Sequence, residues 1–164
     1  VQLYYITLFS ACKSIIIVLY KSAFGREFLK IFLAELMSNN EQIIDFIIVN
    51  NRSHTGGGIY NTFGTSCAVY NNLIGNNSAY YYSEGGSGGG IYNRLPSGLD
   101  IHHNILFENY AGFSGGAILI DSRDETAILN NSIVGNEADY APAISYKGIP
   151  DQKIQLNTIT GNHA

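Results

Sequence analysis

One complete copy of a repeated unit occupies residues 88–119, which read GGGIYNRLPSGLDIHHNILFENYAGFSGGAIL. Two sequence features define the unit. One is a glycine-rich corner followed by isoleucine, and the other is a phrase in which asparagines flank an apolar residue. The corner occurs at 56–59, 88–91, 115–118 and, with alanine and proline replacing glycine, 141–144. A unit that returns at nearly constant spacing is typical of a protein built from stacked coils.

The phrase occurs five times from residue 43 onward. It reads Asn or Asp, any residue, Ile or Leu, two further residues, Asn, any residue and usually Ala or Ser. Its closing asparagines are Asn50, Asn76, Asn109, Asn136 and Asn162, at spacings of 26, 33, 27 and 26 residues. Amide side chains at one level of successive coils stack and bond to the backbone. We therefore predict a structural asparagine ladder at these five positions, with the Ile or Leu of each phrase, such as Ile47 and Leu73, in the core.

The short runs between the turns indicate the fold class. They are rich in β-branched residues and are separated by Gly, Asn and Pro, as strands are. Helical solenoids need two amphipathic helices per repeat, and propeller blades need about 40 residues or more. The sequence therefore predicts an all-β protein with a right-handed, single-stranded parallel β-helix over residues 43–164. We expect about four to five coils of three strands each, and a truncated C-terminus, because the chain ends inside a phrase.

Residues 1–42 lack the repeat and form a separate N-terminal segment. A helical apolar spacing over 22–38 predicts an amphipathic helix that caps the open end of the β-helix. One face of that helix carries Phe24, Phe28, Phe32 and Leu36. Residues 1–20 are apolar, but Lys13 divides them, so we expect no membrane span. Whether residues 1–20 are a signal peptide, part of the cap or a segment foreign to the fold is left open.

The composition argues against several classes of function. Charged residues make up 13% of the chain, and the net charge of −4 with a pI near 5.4 gives no basic surface for nucleic acid. Cys12 and Cys67 lie far apart and lack the close spacing that zinc or redox chemistry uses. We therefore predict no nucleic-acid partner, no cofactor and no metal site for a non-enzymatic protein.

The first candidate binding site is the segment 80–86, YYYSEGG, which makes one spacing longer than the others. Insertions at a fixed turn of a solenoid project from one face and often bind ligands. Tyrosine rings pack against apolar surfaces while their hydroxyl groups form hydrogen bonds. We predict that a sugar or protein surface binds to Tyr80, Tyr81, Tyr82 and Glu84.

A second candidate site is acidic. Adjacent coils would bring Asp100, Asp121 and Asp124 near one another. In polysaccharide lyases and hydrolases, such carboxylates hold calcium or act as acid and base. These three residues are therefore the candidate catalytic groups under an alternative function, that of a carbohydrate-active enzyme, and calcium is expected only under that alternative.

Two further pairs are interpreted as parts of the coil surface. Tyr60 and Tyr92 each follow a glycine-rich corner, which predicts that they stack on the outside of equivalent strands. His102 and His103 are interpreted as one stacked residue and one exposed neighbour.

The glycine-rich corner at 115–118, taken with the apolar-x-x-Asn phrase, resembles the repeat of polymorphic outer-membrane autotransporter passengers. More broadly, it is similar to the pectin-lyase-like β-helix repeat proteins of bacterial surfaces. The resemblance covers residues 43–164, although the passenger repeat has Phe where this chain has Ile or Leu. It implies a secreted or surface segment, at a bacterial outer membrane, that serves as an adhesin or passenger stalk or binds polysaccharide or a host-surface protein. The same superfamily contains lyases, hydrolases and epimerases, which is the enzymatic alternative.

Overall fold

The computed structural model describes residues 2–10, 13–21, 27–31, 41–62, 67–80, 85–94, 98–148 and 153–164. In this part of the chain all regular secondary structure is β-strand. The first three strands form an antiparallel sheet in the order β1, β2, β3. They are β1 (Gln2–Ser10), β2 (Lys13–Lys21) and β3 (Glu27–Ile31).

The helix predicted over 22–38 is therefore replaced by a strand at Glu27–Ile31. Phe28 and Ile31 favour strands, and pairing with β2 supplies hydrogen bonds along one edge of β3. Local periodicity alone did not separate the two states for so short an apolar run. The rest of the predicted helix, 22–26 and 32–38, lies outside the described residues.

The remaining strands wind into a parallel β-helix of about four turns, as the sequence predicted. Sheet A contains β4 (Glu41–Ile44), β8 (Cys67–Tyr70), β12 (Leu99–His102), β16 (Thr126–Leu129) and β20 (Lys153–Gln155). Sheet B contains β5 (Ile47–Val49), β9 (Leu73–Gly75), β13 (Ile105–Phe107), β17 (Ser132–Val134) and β21 (Thr158–Thr160). Sheet C contains β6 (Arg52–Ser53), β10 (Ser78–Ala79), β14 (Tyr110–Ser114) and β18 (Glu137–Tyr140). Sheet D contains β7 (Ile59–Thr62), β11 (Ile91–Arg94), β15 (Ile118–Asp121) and β19 (Ile144–Tyr146).

Each of the first four coils contributes one strand to every sheet, and the fifth contributes to sheets A and B. A coil thus has four strands rather than the predicted three. The strand that was missed belongs to sheet C, where β6 and β10 have only 2 residues each. A strand of two residues has no measurable period, so the pattern could not indicate it.

The core is a column of aliphatic side chains, one level per coil. In sheet B, Ile48, Ile74, Leu106 and Ile133 are all fully buried and lie in register. Each such burial contributes about 1.5–3 kcal/mol. The prediction that Ile47 belongs to the core is wrong, because Ile47 faces outward with 68% of its surface exposed. The phrase is therefore shifted by one residue in the first two coils.

The main asparagine ladder consists of Asn51, Asn77, Asn109, Asn136 and Asn162. From the second level onward, each Oδ1 in the ladder accepts hydrogen bonds from the backbone N–H and the Nδ2 of the asparagine one coil earlier. For Asn109 these distances from Asn77 are 3.1 and 3.0 Å. From Asn77 onward, each Nδ2 also donates to a backbone carbonyl, as Asn109 does to Ile74 at 2.9 Å. The Oδ1 of Asn51, at the first level, is buried and has no partner among the described residues.

The prediction that Asn50 and Asn76 lie in the ladder is wrong by one position, because the ladder residues are Asn51 and Asn77. Asn50 and Asn76 are exposed and adopt left-handed backbone conformations, with φ of 62° and 53°. Asparagine is favoured in such corners as well as in the ladder. In an Asn-Asn pair the sequence therefore leaves open which residue turns the chain and which one stacks.

Two further polar stacks run through the molecule. Asn72, Asn104, Asn131 and Asn157 form a second ladder at the corner between sheets A and B. It begins at the backbone N–H of Phe46, which donates to the Oδ1 of Asn72 at 2.9 Å. A shorter stack joins buried Asn61 to Asn93 at 2.8 Å. Because these amides satisfy one another, the narrow interior tolerates them without the cost of unpaired polar groups.

The glycine-rich corners connect sheets C and D. Gly56, Gly88 and Gly115 have φ of 59°, 68° and 71°, which side chains disfavour. A Cβ added to the next residue, as at Gly89, would lie 2.4 Å from the carbonyl oxygen of Gly116. The glycines are therefore explained by backbone shape and by the close approach of neighbouring coils.

Candidate functional site

The predicted binding segment begins with Tyr80, beside sheet C. Tyr80 directly follows β10, and the described chain resumes at Gly85. Both residues lie against Gly112 of the next coil, where an added Cβ would stand 3.1 Å from Cδ2 of Tyr80 and 3.3 Å from Cα of Gly85. The other predicted ligand-binding residues, Tyr81, Tyr82 and Glu84, lie outside the described residues.

A β-bulge in β14 turns a second aromatic side chain outward beside this point. Ala111 pairs with Ala138, but the next pair is Ser114 with Tyr140, so two residues of β14 oppose one of β18. Bulges of this kind re-aim side chains. Phe113 lies within the bulge and exposes 39% of its surface, while its backbone N–H donates to the carbonyl of Gly86 at 2.8 Å.

Four aromatic rings from three successive coils share this face. We call them the aromatic row, and they are Tyr80, Tyr110, Phe113 and Tyr140. The ring centroids of Tyr80 and Tyr110 are 6.4 Å apart at an angle of 34°. Those of Phe113 and Tyr140 are 5.2 Å apart and nearly edge to face, at 61°. Tyr140 is the most exposed of these rings, at 62%.

A cationic side chain flanks each end of the aromatic row. The guanidinium carbon of Arg52, in the first coil, lies 5.6 Å from the centre of the Tyr80 ring. The Nζ of Lys147 lies 5.2 Å from the centre of the Phe113 ring. Cations over ring faces at these distances are attracted by the ring quadrupole, and at exposed sites the attraction is worth about 0.5–1 kcal/mol. They help to hold Tyr80 and Phe113 in place.

Carboxylates of the fourth coil complete the surface. Burial, followed by the nearby charges of Asp139 and Glu137, raises the pKa of the Tyr110 hydroxyl. The hydroxyl therefore stays protonated at neutral pH and is available as a donor. Glu137 also lies 3.5 Å from Nε2 of His163, in the fifth coil. The face thus combines apolar rings with donors and acceptors of both charges.

The three candidate catalytic carboxylates occupy separate places. Asp100 is exposed on sheet A, whereas Asp121 lies on sheet D, where its Oδ2 accepts from the hydroxyl of Tyr92 at 3.4 Å. Asp124 is in the turn that follows, and its backbone N–H donates to Oγ of Ser122 at 3.1 Å. Within the described ranges, no group of three or more His, Cys, Asp or Glu residues could hold a metal ion.

The tyrosines after the glycine-rich corners do pair across coils. Tyr60 and Tyr92 lie in register with ring centroids 5.3 Å apart and tilted by 50°. Only 8% of the Tyr92 surface is exposed, so this pair contributes mainly to the packing of sheet D. Nη1 of Arg94 reaches the hydroxyl of Tyr60 at 3.4 Å. The pair lies on sheet D, away from sheet C.

Sequence reasoning missed three members of the aromatic row, Tyr110, Phe113 and Tyr140. One signal was present for Tyr110, which directly precedes the small residue of its phrase, Ala111, much as Tyr80 directly follows Ala79. Because small residues face inward, their neighbours face outward. Nothing in the sequence indicated the bulge that exposes Phe113.

The chain matches no protein-family model, no curated protein and no solved structure. Among the described residues, no helix has the length and apolarity needed to cross a bilayer.

Proposed function

We propose that this β-helix is a non-enzymatic binding protein that recognises a polysaccharide along the aromatic row. The observation that carries the proposal is the placement of Tyr80, Tyr110, Phe113 and Tyr140 on one face by three consecutive coils. Sugar rings have apolar C–H faces and polar edges, which matches tyrosine with its apolar ring and hydroxyl group. Charged groups beside the rings are suited to bonding sugar hydroxyls or charged substituents.

The geometry favours an extended ligand over a small molecule. Strands of successive coils are spaced by about 4.8 Å, so rings from three coils cover an elongated surface. The segment between Tyr80 and Gly85 begins and ends beside that surface, which supports a role for Tyr81, Tyr82 and Glu84 in the same contact.

The repeat supports a more specific proposal about the family and the location of this protein. We propose a pectin-lyase-like surface protein, similar to outer-membrane autotransporter passengers, that is exported and displayed at the bacterial surface as an adhesin or stalk. The glycine-rich corners and the asparagine phrase support this because they resemble the repeat of those passengers, and a solenoid presents long faces for contact.

The test is a binding panel of immobilised polysaccharides and host-surface proteins, measured for the full chain and for the double variant Phe113→Ala/Tyr140→Ala. We expect polysaccharide binding that the variant weakens by about tenfold or more, because two stacking surfaces worth about 1 kcal/mol each are lost. Tyr70→Ala is the matched control, since it removes a half-buried ring from sheet A.

Equal polysaccharide binding by the wild-type chain and the double variant would contradict the proposal. If the chain bound a host-surface protein but no polysaccharide, and the double variant lost that binding, the ligand of this face would be a protein. The proposal of a polysaccharide ligand would then be wrong. A thermal melt of each variant checks that the coil is intact.

A further inference from the structure

Two imidazole rings converge at the corner between sheets A and B in the third coil. His102 ends β12, and His103 follows it with a left-handed φ of 57°. In an extended strand, neighbouring side chains point to opposite faces. The turn at His103 instead brings both rings to one side, with centroids 5.2 Å apart and Nδ1 atoms 3.0 Å apart.

The orientation of the first ring is held by the coil beneath it. His102 stacks on Tyr70 with centroids 4.6 Å apart and planes only 11° from parallel. The hydroxyl of Tyr70 in turn lies 3.3 Å from Oε1 of Gln42. A ring packed in this way loses less freedom when it binds a ligand, which favours binding.

The pair is an exception within the repeat. The same left-handed corner is occupied in the other four coils by Asp45, Asn71, Asn130 and Leu156. The outward residue before the corner is Ile44, Tyr70, Leu129 or Gln155. Among the five described corners, only the third therefore presents two imidazole rings, although asparagine would suit the backbone there equally well.

We propose that His102 and His103 chelate a divalent late transition-metal ion of tetragonal geometry, with Cu²⁺ as the preferred ion. Metal–imidazole bonds are about 2.0–2.1 Å long, so an Nδ1···Nδ1 separation of 3.0 Å corresponds to an angle near 90–95° at the metal. Square-planar and tetragonal nitrogen sites are those of Cu²⁺ and Ni²⁺, and Cu²⁺ binds the tighter of the two.

Binding requires both Nδ1 atoms to carry lone pairs. In the hydrogen-bonded pair one Nδ1 bears the proton, which moves through solvent to Nε2 of the same ring, so no net proton is lost. Water completes the coordination, since the described residues supply no third acidic, histidine or cysteine ligand in a group.

Titration of the full chain with Cu²⁺ in a weakly coordinating buffer, by calorimetry and electron paramagnetic resonance, tests the site. We expect one ion per chain with two equatorial nitrogens. His103→Asn and His102→Gln should each weaken binding by about 100-fold, because a chelate becomes a single contact. Asparagine and glutamine occupy these positions in other coils, so both variants are expected to fold.

His163→Asn is the matched control, since it removes another exposed histidine and should leave the affinity unchanged. Unchanged Cu²⁺ affinity in folded His103→Asn would overturn the proposal, as would tighter binding of Zn²⁺ than of Cu²⁺. A paramagnetic resonance spectrum that shows only one coordinated nitrogen in the wild-type chain would also overturn it, because the chelate needs two.

Discussion

Two neighbouring positions in the coil accept asparagine for different reasons, and they differ in what else they accept. The ladder position is asparagine in all five coils, and it is buried in the first four. The corner immediately before it is Asn50, Asn76, Glu108, Gly135 or Gly161, and it is exposed in every coil but the fourth, where it is half-buried. All five corner residues have φ between 50° and 63°.

The difference shows that a dry interior specifies a side chain, whereas a corner specifies only a backbone shape. An asparagine inside the ladder, such as Asn77 or Asn109, accepts two hydrogen bonds from one coil and donates to a carbonyl and to the next amide. Losing it would leave several buried groups unpaired, at about 1–3 kcal/mol each. A corner residue has only to tolerate a left-handed conformation, which costs about 1–2 kcal/mol with most side chains and nothing with glycine.

The most direct test of this difference is to make the same substitution separately at each position of an Asn-Asn pair. Asn77→Gly removes the acceptor of two bonds from Asn51 and a donor to the carbonyl of Ile48 at 2.8 Å. We expect it to lower the free energy of unfolding by at least about 3 kcal/mol. Asn76→Gly should change it by less than about 1 kcal/mol, because glycine fits the corner.

Urea denaturation of the two variants measures the difference. Both carry the same change in unfolded-chain entropy, so their difference isolates the ladder. Equal losses at the two positions would show that position 77 stabilises the coil only through its backbone.

The same comparison explains how far the sequence could be interpreted. The period and the alternation of short apolar runs predicted the parallel β-helix, because stacking repeats the same environment in every coil. The register failed where Asn50-Asn51 and Asn76-Asn77 offered two suitable residues. In the third coil Glu108 occupies the corner, so Asn109 was the only asparagine that could lie in the ladder.

The aromatic row could be predicted only at its edge, Tyr80. Phe113 is exposed by an extra residue in one strand, and a bulge depends on pairing between coils rather than on local pattern. The two histidines were correctly seen as one stacked and one exposed residue. The approach of their Nδ1 atoms follows from the φ of His103, which no property of histidine dictates.

A second test replaces an unfavourable residue at the left-handed corner between sheets A and B with the asparagine that other coils have there. Leu156 has φ of 57° and is 80% exposed, in a position that asparagine occupies in the second and fourth coils. Leu156→Asn should raise the free energy of unfolding by about 1 kcal/mol, because asparagine adopts this left-handed conformation at a lower cost than leucine. Gln155→Asn, in the adjacent strand, is the control and should give no gain. A thermal melt that falls for Leu156→Asn would contradict the role assigned to the corner.

The smallest expected effect is at the fourth glycine-rich corner, where Ala141 has φ of 47° and the other coils have glycine. Ala141→Gly relieves about 1 kcal/mol of backbone strain. It also increases the entropy of the unfolded chain, which offsets about 0.4–1 kcal/mol of that gain. The net change should be a stabilisation of about 0.5 kcal/mol or less. Ala143→Gly, two residues later and without a positive φ, has no strain to relieve, and it loses a methyl group that packs against the core. It should therefore destabilise by about 1 kcal/mol or more, from the entropic cost and the lost packing together. Chemical denaturation of the two variants should therefore give changes that differ in sign or clearly in size, and equal losses would mean that the backbone at Ala141 is unstrained.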